Sequence, residues 1–210
     1  MNTRRALEEI FRGKSLVRVL INESIADHAH LLSGTVLDLG GGAGSYYRFI
    51  PENLSITKTN IEGANLDQFV DINKPLPYAD NSFTNVLLFN VLYIAEDPVA
   101  TLREIRRVLS PGGYLFASTP FISNEMREPH DYWRFTSEGL EKILTDAGFT
   151  TIQIHPIGER FSAVITLIDG FGLMPLKVFF SWIGLYIDDL IPMRIKRAHP
   201  APMGYLTISS

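Results

Sequence analysis

The chain has 210 residues, an apolar share of 46 % and a formal net charge of −4; this is enough for one domain with a sizeable core, and it leaves no global positive field to draw in nucleic acid. Cysteine is absent, which excludes disulfides and thiolate metal sites, and none of the five histidines has metal-ligand spacing, so we expect no metal. The N-terminal MNTRRALEEIF carries charges but no apolar run of signal-peptide length, which predicts a cytoplasmic chain.

In chain order, Ser15 to Leu32 places apolar residues at Leu16, Val17, Leu20, Ile21 and Ile25, a helical period closed by Gly34. Thr35 to Leu39 is a continuous apolar run, as expected of a parallel strand covered on both faces. Ser55 to Ile61, a short segment ending near Asp71, and Asn85 to Phe89 are the next three strands. Asp97-Pro98 starts a helix, with aspartate as N-cap and proline at the first position; Leu102, Ile105 and Val108 form its inner stripe, and Ser110-Pro111-Gly112-Gly113 ends it. Tyr114 to Thr119 is a strand. Thr136 caps a helix with Leu140, Ile143, Leu144 and Ala147 inward and Gly148 at its end. Thr150 to Ile154 and Tyr205 to Ser209 complete the set. This alternation predicts a doubly wound α/β sheet, whose ligands collect beyond the carboxyl ends of the strands.

The segment VLDLGGGAG, residues 36–44, ends a strand in Asp38 and opens into a loop with Gly40, Gly42 and Gly44. Such glycines let backbone approach a ligand closely, and a helix starting just after Gly44 would aim its positive end at an anionic group. The dinucleotide pattern G-x-G-x-x-G fails, because Ser45 and Tyr47 stand where its third glycine would be. What fits is D-x-G-x-G-x-G. With residues 70–121 following in order, it resembles the motifs of the class I S-adenosylmethionine-dependent methyltransferases over nearly all of residues 35–156.

That resemblance implies a seven-stranded Rossmann-like sheet of order 3-2-1-4-5-7-6 with the last strand antiparallel, helices on both faces, and S-adenosylmethionine as cofactor. Asp38, Gly40, Gly42 and Gly44 then form the cofactor loop. Asp71 and Ile72 match the pair that receives adenine, by carboxylate and backbone N–H. An acid usually ends the second strand, to take the ribose diol; here Asn60 stands there, with Glu62 two residues on and able to replace it if the strand continues. Asn90 and Tyr93 occupy positions where glutamate and histidine are common, and Thr84 one where aspartate is.

The string PHDYWRFT, residues 129–136, places His130, Asp131 and Tyr132 on the acceptor side. Histidine is suited to take a proton near neutral pH, so His130 is the candidate base, with Asp131 or Tyr132 orienting it; the alternative is that Trp133 and Arg134 pin the loop onto the next helix. Residues 161–198 form an apolar helical insertion, interrupted within 161–192 by Asp169, Lys177, Asp188 and Asp189, with no run long enough to span a bilayer. We read it as covered by protein, as a pocket lid or a contact between two copies, rather than as a membrane-surface patch. The expected activity is methyl transfer to an O or N atom of a small-molecule or glycan-like acceptor; the competing reading is a non-catalytic cofactor-binding module.

Overall fold

The structure, a computed structural model, describes residues 3–41, 44–127, 129–167 and 174–210. Seven strands form one sheet: β1 (Thr35–Leu39), β2 (Ser55–Asn60), β3 (Gln68–Phe69), β4 (Phe83–Phe89), β5 (Leu109–Pro120), β6 (Ile152–Ile157) and β7 (Gly204–Ser209). Their order is β3-β2-β1-β4-β5-β7-β6, with β7 antiparallel to both neighbours and the other pairs parallel. Register is set by the central strands, where Leu37 lies opposite Val86 and Leu87 opposite Phe116.

Alternation along these strands builds two cores. Leu37, Val86, Leu88 and Leu115 face α3 (Pro98–Val108) and α4 (Ser137–Asp146), meeting Leu102, Ile105, Leu140 and Leu144. Val36, Leu87, Phe116 and Leu206 face the other way, toward α1 (Thr3–Phe11), α2 (Leu16–His28), α5 (Arg160–Leu167) and α6 (Met174–Leu190). The short α7 (Met193–Ala198) follows. The caps expected at α3 and α4 are present: Asp97 accepts from Val99 N and Ala100 N at 3.0 Å each, and Thr136 Oγ1 from Gly139 N at 3.0 Å.

Two local expectations change and one helix is added. No α-helix follows the glycine loop, because the chain turns through one 3-10 turn, Tyr47–Phe49, and reaches Pro51. The 110–113 turn is absorbed into β5 as a bulge: pairing jumps from Phe83↔Leu109 to Asn85↔Tyr114, and a Cβ on Gly113 would stand 2.6 Å from Thr84 O. Helix α1 buries Ala6 and Ile10 and joins the loop region through Glu9, which accepts from Arg48 Nη2 at 2.8 Å and pairs with Lys14.

Candidate functional site

The carboxyl ends of β1, β2 and β4 converge on a cavity of about 800 Å³, within the usual range for small-molecule sites. Gly40, Asn60, Glu62, Asp71, Ile72, Asn90, Tyr93 and His130 all line it. These positions span ninety residues of sequence, and the strand ends bring them to one place. Gly42 lies outside the described residues. Asp38, Gly44, Asp131 and Tyr132 are not in the lining.

The glycine loop is held from below. Gly40 N and Gly41 N donate to Thr59 O at 2.8 and 2.9 Å, so these two N–H groups are committed to β2. Gly40 has φ +86° and a Cβ there would stand 2.2 Å from Val91 Cγ2; at Gly41 a Cβ would stand 2.7 Å from both Asp38 Oδ2 and Tyr47 Oη. Glycine is therefore required at both positions by packing and, at 40, by conformation.

Asp38 is 1 % exposed and accepts on Oδ2 from Tyr46 Oη at 2.6 Å and Tyr47 Oη at 2.5 Å, while its Oδ1 has no partner. Burial pushes its carboxyl up to about 6 and the two phenols restrain the rise. The Tyr46 ring packs edge-on against Phe89, 4.9 Å between centroids, so the doublet seals the carboxylate beneath the loop. Only the Tyr-Tyr doublet, standing where a helix would begin, signals this arrangement in the sequence.

On β2, Asn60 Nδ2 donates to Gly41 O at 3.0 Å and its Oδ1 accepts from Ile61 N at 2.8 Å. The strand ends at Asn60, so Asn60 and Glu62 do not share a strand face as the conditional reading required, yet both border the cavity. Asn60 is engaged as a loop tether, and the exposed Glu62 has no ion pair or hydrogen bond among the described residues. Asp71 accepts from Asn73 N at 2.9 Å and lies 3.2 Å from Lys74 Nζ, a turn arrangement that leaves the carboxylate one-quarter exposed at the cavity rim. Asn90 takes φ +54°, a left-handed conformation asparagine tolerates, and its N–H donates to Ser118 O at 2.9 Å. Thr84 lies elsewhere: it is at the start of β4, donating to Thr35 O at 2.8 Å, and plays no part in the cavity.

The 129–136 loop is pinned onto the 3-10 turn Leu92–Ile94 rather than the next helix. Tyr93 O accepts from Tyr132 N and Trp133 N at 3.1 and 3.2 Å, and Ala95 O from Trp133 Nε1 at 2.8 Å. The Arg134 guanidinium sits 5.8 Å from the Tyr93 ring centroid. Asp131 does not orient His130. Its carboxylate is forked onto Arg134, with Oδ2 2.6 Å from Nη2, and accepts from Met126 N at 2.7 Å; Arg134 holds it below the usual carboxylate range. An i,i+3 pair on the same loop outcompetes the contact proposed from adjacency. Tyr132 stacks on the His130 ring at 5.1 Å and 13°, leaving His130 the one member of that trio in the lining.

Among the described residues, none of 160–198 lines this cavity. Among the described residues no cluster of three metal-ligating side chains occurs, and no helix is long and apolar enough to cross a membrane.

Residues 37–117 match the family model described as a methyltransferase domain. The tRNA U34 carboxymethyltransferase of Campylobacter curvus is 27 % identical over 115 residues, 47 % of this chain and 38 % of that protein. The ubiquinone/menaquinone biosynthesis C-methyltransferase UbiE of Desulfotalea psychrophila is 37 % identical over 97 residues, 39 % of each. The chain thus spans less than half the length of these two relatives. In fold it is similar to a SAM-dependent methyltransferase from Archaeoglobus fulgidus, with a TM-score of 0.62, 16 % identity and 96 % of both chains covered.

Proposed function

We propose that this chain, whose residues 37–117 match the methyltransferase-domain model, is a class I S-adenosylmethionine-dependent methyltransferase that transfers a methyl group to an O or N nucleophile of a small-molecule or glycan-like acceptor. The observation that carries this reading is the convergence of Gly40, Glu62, Asp71, Ile72, Asn90, Tyr93 and His130 on one cavity. The residues suit the cofactor's groups. Asp71 offers a carboxylate to the adenine amine and Ile72 its backbone N–H to the ring. Glu62, free of internal partners, is the acceptor for the ribose diol in place of the tethered Asn60.

S-adenosylmethionine supplies an already activated methyl group, so the protein's work is alignment and exclusion of water. The pinned 129–134 loop holds His130 at the cavity mouth, where an imidazole can take the proton of an attacking hydroxyl. The net charge of −4 favours a small acceptor over nucleic acid. A ligand that binds only the native state raises the melting temperature, so calorimetry and thermal shift should detect both S-adenosylmethionine and S-adenosylhomocysteine. No shift at millimolar S-adenosylmethionine, with NADH shifting the transition instead, would sink the reading. Binding without turnover across a broad acceptor panel would favour the non-catalytic module.

A further inference from the structure

Helix α6 is 17 residues long, about 25 Å, and its two faces differ in an unusual way. Its inner face, Ser181, Leu185 and Asp188, is buried against α1 and α5. Its outer face is also apolar: Leu176, Phe179, Phe180, Trp182, Tyr186 and Leu190 are all between 42 and 62 % exposed. At 100° per residue these six, with the half-buried Ile183 and Ile187, cover an arc of roughly 160°. Asp189, at the edge of that arc, is the exposed acid of the helix.

Phe161 and Val164 of α5 and Met193 and Ile195 of α7 extend the same exposure. At about 200 Å² per large side chain the uncovered apolar surface is on the order of 1,000 Å², above what a monomer's surface ordinarily carries. Something covers it, and the charges beside it indicate what. Residues 190–200 hold Arg194, Lys196 and Arg197 and no acid, in a chain of net charge −4. Arg194 and Arg197 are exposed and make no ion pair among the described residues.

A two-fold contact between copies sets this patch against itself, so each cation would need an acid from the same patch. Asp188 is not available for this, because its oxygens accept from Phe161 N and Ser162 N at 2.9 Å each, and the exposed Asp189 is one acid against Arg194, Lys196 and Arg197. An anionic lipid surface supplies what the patch lacks: hydrocarbon for the phenylalanines and leucines, an interface for Trp182 and Tyr186, and phosphates for the arginines.

We propose that the outer face of α5–α7 docks on an anionic phospholipid bilayer, with α6 lying in the plane of the interface. It stands against the expectation that protein covers the insertion. Asn124 Nδ2, on the segment that follows β5, donates to Leu167 O at the end of α5 at 3.4 Å, so the acceptor-side loop is joined to the docking face.

The test is co-sedimentation of the full chain, without detergent, with vesicles of equal parts phosphatidylglycerol and phosphatidylcholine, beside phosphatidylcholine alone. Binding should favour the mixed vesicles and weaken with salt. The double change Arg194→Glu and Arg197→Glu, at exposed side chains, should lower apparent affinity roughly tenfold or more. Trp182→Glu should lower it on both vesicle types. Failure to bind the mixed vesicles, or binding that none of these changes alters, overturns the proposal. A dimer in light scattering that Trp182→Glu splits, with no vesicle binding, overturns it in favour of a second copy. None of these readouts depends on methyl transfer.

Discussion

Asp38→Asn isolates the cost of keeping a carboxylate under the glycine loop. Asp38 is almost fully buried, and its carboxyl titrates at about 6 in the folded protein against an ordinary 3.8. Between those values the folded state holds the proton more tightly than the unfolded state, so this group's contribution to stability falls as pH rises through the window. The gap is worth about 3 kcal/mol in all, of which about 2.5 kcal/mol falls between about pH 4 and about pH 8. Asparagine keeps an oxygen for both tyrosine hydroxyls but cannot ionise, and it sets an amide where Oδ1 has no partner. The variant is therefore less stable than the wild type near pH 4, and the difference shifts in its favour by about 2.5 kcal/mol by pH 8. Urea unfolding of both proteins across that range gives the difference directly, with every other titrating group cancelling. A difference that stays constant with pH would refute the account of a buried, desolvated carboxylate.

Glu62→Ala should weaken S-adenosylmethionine binding by roughly 10- to 100-fold in calorimetry with little change in melting temperature, whereas Asn60→Ala should lower the melting temperature by freeing Gly41 O; wild-type affinity in the Glu62 variant would remove it from the ribose. His130→Ala should reduce kcat by roughly two to four orders of magnitude with cofactor affinity unchanged, if the acceptor is a hydroxyl; retained kcat would show that alignment alone suffices. Glu9, which Arg48 and Lys14 hold down to about 2, contributes stability that is fully present above its ordinary 4.5 and is lost as pH falls toward 2. Glu9→Gln should flatten the acid-unfolding curve in that window, and an unchanged slope would argue against the pairing.

Features legible in the sequence were those carried by local pattern. Val36 and Leu37, Val86 and Leu87 alternate onto opposite cores within runs that read as buried strands, and the Asp97 and Thr136 caps stand one residue before helices whose stripes have a 3.6-residue period. What escaped was pairwise and long-range. Nothing near Asn60 announces that its amide will be used by Gly41, nor near Trp133 that its indole will reach Ala95. Asp131 and His130 are adjacent in sequence, which favours Asp131 as an orienting group, but Arg134 three residues on competes for the carboxylate with a fork and wins. The helix expected after Gly44 gave way to Tyr46 and Tyr47 because their hydroxyls bond the one buried acid within reach.

Strands β6 and β7 are antiparallel neighbours, paired from Ile152↔Ser209 to Ile157↔Gly204, yet residues 158–203 intervene where a tight turn of a few residues would close the same hairpin. Loop-closure entropy grows only with the logarithm of length, so the excursion costs about 2 kcal/mol more than such a turn. The packing of Ala163 and Leu185 into the core beside Ile10 and Leu206 is enough to offset that. The α5–α7 segment is thereby nearly neutral to the sheet that carries it.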